Sequence, residues 1–200
     1  MDLQLVARVV VGASAVSLLA AGLGVLAWEA RRSAGPPVRR DTGPLALVNF
    51  VGILGFVAAG LGTAGTMAGT LAPPPDPVDS VVRLVGIVAV IAAGLLAMWG
   101  LRSIGGEMAS QAEVRADTEL VTGGAFGLVR HPLYLSILLL WAGASIALGS
   151  WFMAASTIVL VPPFIARSRL EEELLVEHFG DAYRRYQDRV PMLLPSFHGH

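Results

Sequence analysis

Two charged segments bracket the longest apolar run in this sequence and hold most of the side chains that could do chemistry. On one side stands VRHPLYLS, residues 129–136, which sets Arg130, His131 and Tyr134 around Pro132. On the other stands ARSRLEEELLVEHFG, residues 166–180, in which Arg167 precedes Glu171 by four positions and Glu171, Glu172 and Glu173 are adjacent. A guanidinium can hold an anion, a carboxylate a cation, and an imidazole can gain or lose a proton near neutrality. Each residue also has a bland explanation. Pro132 lacks an N–H and suits the first turn of a helix, which leaves Arg130 and His131 at the level of lipid headgroups. Arg167 and Glu171 share a helical stripe with Leu174 and His178, but Arg-before-Glu is the weaker order for such a pair. Arg184, Arg185 and Arg189 are suited to hold the tail against anionic lipid. The arrangement is more specific than its members, because an apolar run that turns back brings residues 111–134 beside residues 167–179.

Composition sets the medium in which these groups must work. Apolar residues make up 54% of the 200 and charged residues only 14%, and mean hydropathy is +0.67, which points to a membrane protein. A formal net charge of -1 supplies no basic field for nucleic acid. With no cysteine, disulfides, thiolate metal sites and a cysteine nucleophile are excluded, and no metal is expected.

A helix needs about 20 predominantly apolar residues to cross the hydrocarbon. Leu5 to Trp28, Leu45 to Ala72 and Val81 to Leu101 qualify. The run from Leu133 to Ala166 is too long for one ordinary span and short for two. Gly149-Ser150 near its middle is a turn signal, so a tight helical hairpin is expected, with Pro162-Pro163 kinking its second arm. The fold class is therefore an all-α integral membrane protein of about five transmembrane helices, or three plus a re-entrant hairpin. Residues 1–100 would form three membrane helices and residues 101–200 the chemical region. Arginines cluster in the first loop, the third loop and the tail, whereas PPPDPVD, residues 73–79, has none. The positive-inside rule then sets the N-terminus outside and the third loop and tail in the cytoplasm. MDLQLVARVVVG lacks a basic n-region and reads as a retained anchor, with Arg8 and Arg83 snorkelling at outer span ends. Small-residue spacings in residues 12–24 and 52–69 read as helix-packing faces.

In order and at the expected spacings, LVTGGAFGLVRHPLY, the apolar hairpin, RSRLEEELL and FGDAYRRYQDRVPMLLP resemble the isoprenylcysteine carboxyl methyltransferase family, which is similar in its C-terminal part to membrane phospholipid methyltransferases. The likeness covers roughly residues 100–195. It implies an enzyme that takes a methyl group from S-adenosylmethionine on its cytoplasmic side, releases S-adenosylhomocysteine, and methylates a lipophilic or prenylated acceptor. Matched to the family motif, the cofactor pocket would include Gln111, Glu119, Leu120, Val121, Phe126, Arg130, His131, Pro132, Leu133 and Tyr134, closed by Glu171 and Glu172. Tyr134 and Phe126 would offer ring faces to the adenine or the sulfonium, and Arg167, beside Glu171, would position an anionic acceptor. Two positions depart from the family pattern. Gly124-Ala125-Phe126 stands where Gly-Pro-Tyr is common, which removes a phenolic hydroxyl, and Ser136 stands where glycine is usual.

No GxGxxG follows a strand pattern, so a cofactor site would have to be built from loops and helix ends. Carboxyl methylation is the leading reading. A phospholipid amine or a small thiol is the alternative acceptor, and a non-catalytic membrane accessory protein is the alternative of another class, disfavoured because neither mid-span ionisable residues nor a pseudo-repeat occurs. The expected location is the plasma membrane of a bacterium or archaeon.

Overall fold

The computed structural model describes residues 6–12, 65, 80–104 and 120–195. Apart from residues 6–12 and 65, the expected spans over residues 5–28 and 45–72 and both N-terminal small-residue stretches lie outside the described residues, as do Gln111 and Glu119. All regular structure among the described residues is helical. Helix α1 is Ser80–Ile104, a 3-10 turn covers Gly124–Gly127, α2 is Pro132–Leu148, α3 is Trp151–Phe179 and α4 is Asp181–Arg189.

Two of these helices are long and apolar enough to cross a bilayer: α1, at 25 residues and mean hydropathy 2.5, and α3, at 29 residues and 1.3. At 17 residues α2 is shorter, spanning about 25 Å at 1.5 Å per residue. The sequence expectation for residues 81–101 thus falls inside a helix that is slightly longer at both ends. The outward face of α1 is apolar, with Val81, Val85, Val88, Ile91, Leu95 and Trp99 all exposed. This inverts the pattern of a surface helix on a soluble protein and fits lipid as the surrounding medium.

The chain breaks at Gly149-Ser150, where the turn signal stands. Gly149 caps α2 in the left-handed region (φ 65°, ψ 35°), which costs a glycine little, and the Ser150 hydroxyl accepts from the Met153 N–H at 3.4 Å to start α3. Helix α3 continues through Pro162 and Pro163, each of which removes a backbone donor from the ladder. Its apolar part ends at Ala166, and residues 167–179 form a polar continuation. Glycine at 180 (φ 56°, ψ -128°) then separates α3 from α4.

Helices α1 and α2 pack through backbone. A Cβ on Gly86 would stand 2.8 Å from the Gly143 carbonyl oxygen and from the Ala147 Cα, and a Cβ on Gly143 would stand 2.9 Å from the Val90 nitrogen. Around this crossing Ile87, Val90 and Ala93 meet Leu140, Trp141, Ala144 and Ala147, with Ala7, Val11, Met153 and Leu160 completing the core. Arg83 donates from Nη1 to the Ala147 carbonyl at 2.6 Å, satisfying a terminal acceptor of α2 where the helix dipole is negative. It therefore does more than snorkel, because it locks the start of α1 to the end of α2. At the other end of the same pair, Gly100 lies against Pro132 and Leu133. This packing fixes where α2 begins.

Replacing Gly86 with leucine should force the two backbones apart at an overpacking cost of about 1–3 kcal/mol, seen as a lowered melting temperature in detergent. The same replacement at Gly94, where a Cβ meets nothing within 4 Å, should leave melting nearly unchanged.

Candidate active site

The loop before α2 is shaped from three directions. On the α1 side the Ser103 hydroxyl donates to the Trp99 carbonyl at 2.8 Å and accepts from the Ala125 N–H at 3.1 Å. On the α4 side the Tyr186 hydroxyl donates to the Phe126 carbonyl at 2.6 Å. On the chain's C-terminal side Arg130 and His131 donate their backbone N–H groups to the carbonyls of Pro191 and Met192, at 2.9 and 3.1 Å. Proline at 132 forces the preceding residue out of helical conformation, and His131 (φ -124°, ψ 66°) occupies the N-cap of α2.

This corner meets the polar end of α3. Glu172 is buried and accepts four hydrogen bonds. Arg130 gives it a forked pair, Nε to Oε1 at 2.7 Å and Nη2 to Oε2 at 3.1 Å. His131 Nε2 lies 3.1 Å from Oε1, and Gln187 Nε2 donates to Oε2 at 2.9 Å. Arg130 also donates from Nη1 to the Gln187 and Val190 carbonyls, at 2.9 and 2.5 Å. Both partners of the ion pair are largely removed from water, at 10% and 7% exposure. Such a pair holds only with good geometry, and removing one partner costs about 3–5 kcal/mol.

A second cluster lies one residue earlier on α3. Tyr134 donates from its hydroxyl to Glu171 Oε1 at 2.5 Å, while Arg167 donates from Nε to that hydroxyl at 2.7 Å and to Glu171 Oε1 at 3.0 Å. The Tyr134 ring stacks on His131 at 5.5 Å and meets Phe164 at 5.2 Å. Glu171 Oε2 is the one carboxylate oxygen of the two clusters with no hydrogen-bond partner among the described residues, and His131 Nδ1 stands 3.8 Å from it. One buried hydroxyl, Ser168 Oγ, also lacks a partner among the described residues.

The structure therefore brings together Arg130, His131, Tyr134, Arg167, Glu171 and Glu172 from the two ends of the α2–α3 pair. Pro132 and Leu133 pack on α1. Phe126 is buried, with its carbonyl bonded by Tyr186, and the Tyr134 ring lies between His131 and Phe164. Leu120 and Val121 are half-buried before the 3-10 turn, and the Ser136 hydroxyl folds back onto the Leu133 carbonyl at 2.7 Å. The stripe expected to join Arg167, Glu171, Leu174 and His178 divides: the first two enter the site and the last two are exposed. Residues that motif reading passed over are Ser103, Tyr186, Gln187 and the carbonyls of residues 190–192. For Tyr186, Gln187 and the carbonyls the signal was RYQDRVPMLLP, where a proline follows α4 and the chain comes back to the RHP corner.

Burial opposes ionisation of Glu172, but the hydrogen bonds from His131, Arg130 and Gln187, with the Arg130 charge, outweigh it and hold the carboxyl at about 2. Burial, with the Glu172 charge, pushes the Tyr186 phenol up to about 12 despite Arg130, so it stays a neutral donor to Phe126. The depressed carboxyl has a definite sign in stability. Its contribution is present in full above the ordinary value of 4.5 and is lost as pH falls through about 2. Acid titration of melting temperature should show this loss between those values, and Glu172→Gln should be less stable at neutral pH with that part of the acid dependence removed.

Comparison with known proteins identifies the family. Residues 81–182, just over half of the chain, match the family described as phospholipid methyltransferase. A methanethiol S-methyltransferase of Pseudomonas deceptionensis is 39% identical over 72 residues, 36% of this chain and 26% of that protein. A protein-S-isoprenylcysteine O-methyltransferase of Schizosaccharomyces pombe is 36% identical over 80 residues, 40% of this chain and 34% of that protein. An Arabidopsis thaliana protein-S-isoprenylcysteine O-methyltransferase B is 29% identical over 113 residues, covering 55% of this chain and 57% of the relative. The chain thus spans between about a quarter and three fifths of the length of these relatives. The matched stretch includes α1, the loop, α2 and the charged end of α3, and the chain belongs to the phospholipid methyltransferase family, with isoprenylcysteine O-methyltransferases among its relatives.

Proposed function

We propose that the protein is an integral membrane methyltransferase that uses S-adenosylmethionine on the cytoplasmic side and methylates a lipophilic acceptor, with carboxyl methylation of a prenylated-cysteine type as the leading chemistry. The observation that carries this reading is the meeting of the RHP corner with Arg167, Glu171 and Glu172 across the two ends of an apolar helix pair. Helices α2 and α3 form a hairpin within a frame of about five crossings, N-terminus outside, in the plasma membrane of a bacterium or archaeon. Residues 1–100 supply the membrane frame and residues 101–200 the catalytic region.

The donor set suits S-adenosylmethionine, which carries both positive groups and hydrogen-bonding hydroxyls. Glu171 keeps one oxygen without a hydrogen-bond partner among the described residues and only 12% side-chain exposure, so it can take an ammonium or ribose hydroxyl without first breaking a contact. His131 and the backbone after Leu120 and Val121 line the remainder, Arg130, Pro132, Leu133 and Phe126 shape its wall, and Gln111 and Glu119 are assigned to it by the family motif alone. When bound, the cofactor supplies a methyl group on a sulfonium. In-line displacement from a sulfonium neutralises charge, so the chain gains chiefly by holding the reactants in line and keeping water out. Arg167 is fixed by Tyr134 and Glu171 and orients an anionic acceptor. A carboxylate attacks without losing a proton, whereas a thiol or amine passes its proton to His131 or Glu171. Membrane lipid is the medium from which the acceptor enters.

A small-thiol acceptor is the second reading, favoured by identities of 39% and 42% to two methanethiol S-methyltransferases. Incubating membranes that contain the full chain with methyl-labelled cofactor separates the two. A base-labile product is an ester and a base-stable one a thioether or amine. Glu171→Gln and Arg167→Ala should each lower S-adenosylhomocysteine release about a hundredfold, as misplacing reactants does, while the protein remains folded. Full activity in both variants would refute the assignment.

A further inference from the structure

Chain beyond α3 contributes more to the RHP corner than α3 itself does. Arg130 has one side-chain partner on α3, Glu172, but its Nη1 reaches the Gln187 and Val190 carbonyls, and the backbone N–H groups of Arg130 and His131 reach Pro191 and Met192. Gln187 closes the circuit by donating to the same carboxylate that Arg130 grips. Tyr186, one residue earlier and on the buried face of α4, ties the same segment to Phe126. The contacts of Tyr186, of the Gln187 and Val190 carbonyls and of Pro191 and Met192 join the end of α4 to the loop, and Glu172 on α3 receives its hydrogen bonds from both sides of that junction.

We infer that residues 186–192 are a positioning strap, with Gln187 its key side chain, that holds the Arg130-His131 corner against α3, and that Glu172 is the pin of this strap and acts on reactants only through it. Glu171, whose Oε2 keeps its acceptor sites, is then the glutamate that meets them. This division of labour rests on the methyltransferase reading and assigns unlike roles to two adjacent carboxylates. Its physical ground is acceptor capacity: a carboxylate offers about four lone-pair sites, and the four bonds to Glu172 use them, whereas Glu171 keeps one oxygen without a hydrogen-bond partner among the described residues.

The strap can be tested without knowing the acceptor, by calorimetric titration of S-adenosylhomocysteine into the full chain in detergent. Gln187→Leu removes the donor to Glu172 but leaves the Gln187 carbonyl in place. It should fold, melt within a few degrees of the parent, and bind about tenfold more weakly. Combined with Glu172→Gln it should add little further loss, because both remove one linkage, whereas combined with Glu171→Gln the losses should add. Tyr186→Phe, which keeps the ring and deletes the bond to Phe126, should weaken binding in the same direction and gives a second reading if Gln187→Leu is poorly folded. Unchanged binding in Gln187→Leu, or losses that add with Glu172→Gln, would overturn the strap while leaving the cofactor site intact. Failure of the folded parent to bind S-adenosylhomocysteine would overturn the methyltransferase reading and the strap's function with it.

Discussion

One ion pair organises this site: the carboxylate of Glu172 gripped by the forked guanidinium of Arg130 in a place largely closed to water. Neither charge could stay there alone, since an isolated buried ion costs several kcal/mol. Each therefore demands the other, and the remaining donors and acceptors of both must also be satisfied. Those demands recruit His131, Gln187 and two carbonyls of the C-terminal segment. A loop, the end of a long helix and the tail are thereby forced into one place by the chemistry of two side chains.

The rest of the fold makes that meeting possible. Backbone contact between Gly86 and Gly143 sets α2 against α1, and Arg83 fixes the end of α2 remote from the site. A left-handed glycine separates α2 from α3, and α3 runs 29 residues, long enough for its charged turn to pass Ala166 and reach the RHP corner. Charge is thus confined to the end of an otherwise apolar helix pair. That partition suits a site open to a water-soluble donor on one side and to lipid on the other.

Much of this was legible in the sequence because the signals were local. Hydropathy located α1 to within a few residues, Gly149-Ser150 marked the turn, and the RHP and glutamate motifs supplied six side chains that converge. Other features depended on tertiary contacts that no spacing records. Nothing local separates Glu171 from Glu172, yet one faces Tyr134 and Arg167 and the other Arg130 and Gln187. Gln187 is an ordinary polar residue on a short helix whose arginines drew attention first. The motif picked out Phe126 for its ring, but the bond from Tyr186 to its carbonyl is a tertiary contact that no spacing announces. The Gly86 and Gly143 contact was missed because neither lies in the small-residue runs that stood out.

The central claim is that a methyl donor binds between the RHP corner and the charged end of α3. Photolabelling with an azido derivative of S-adenosylmethionine, followed by peptide mapping, tests it most directly. The account predicts label in peptides from residues 120–134 and from residues 164–179, both protected by excess S-adenosylhomocysteine. Label confined to other parts of the chain, or label that excess S-adenosylhomocysteine does not displace, would contradict it.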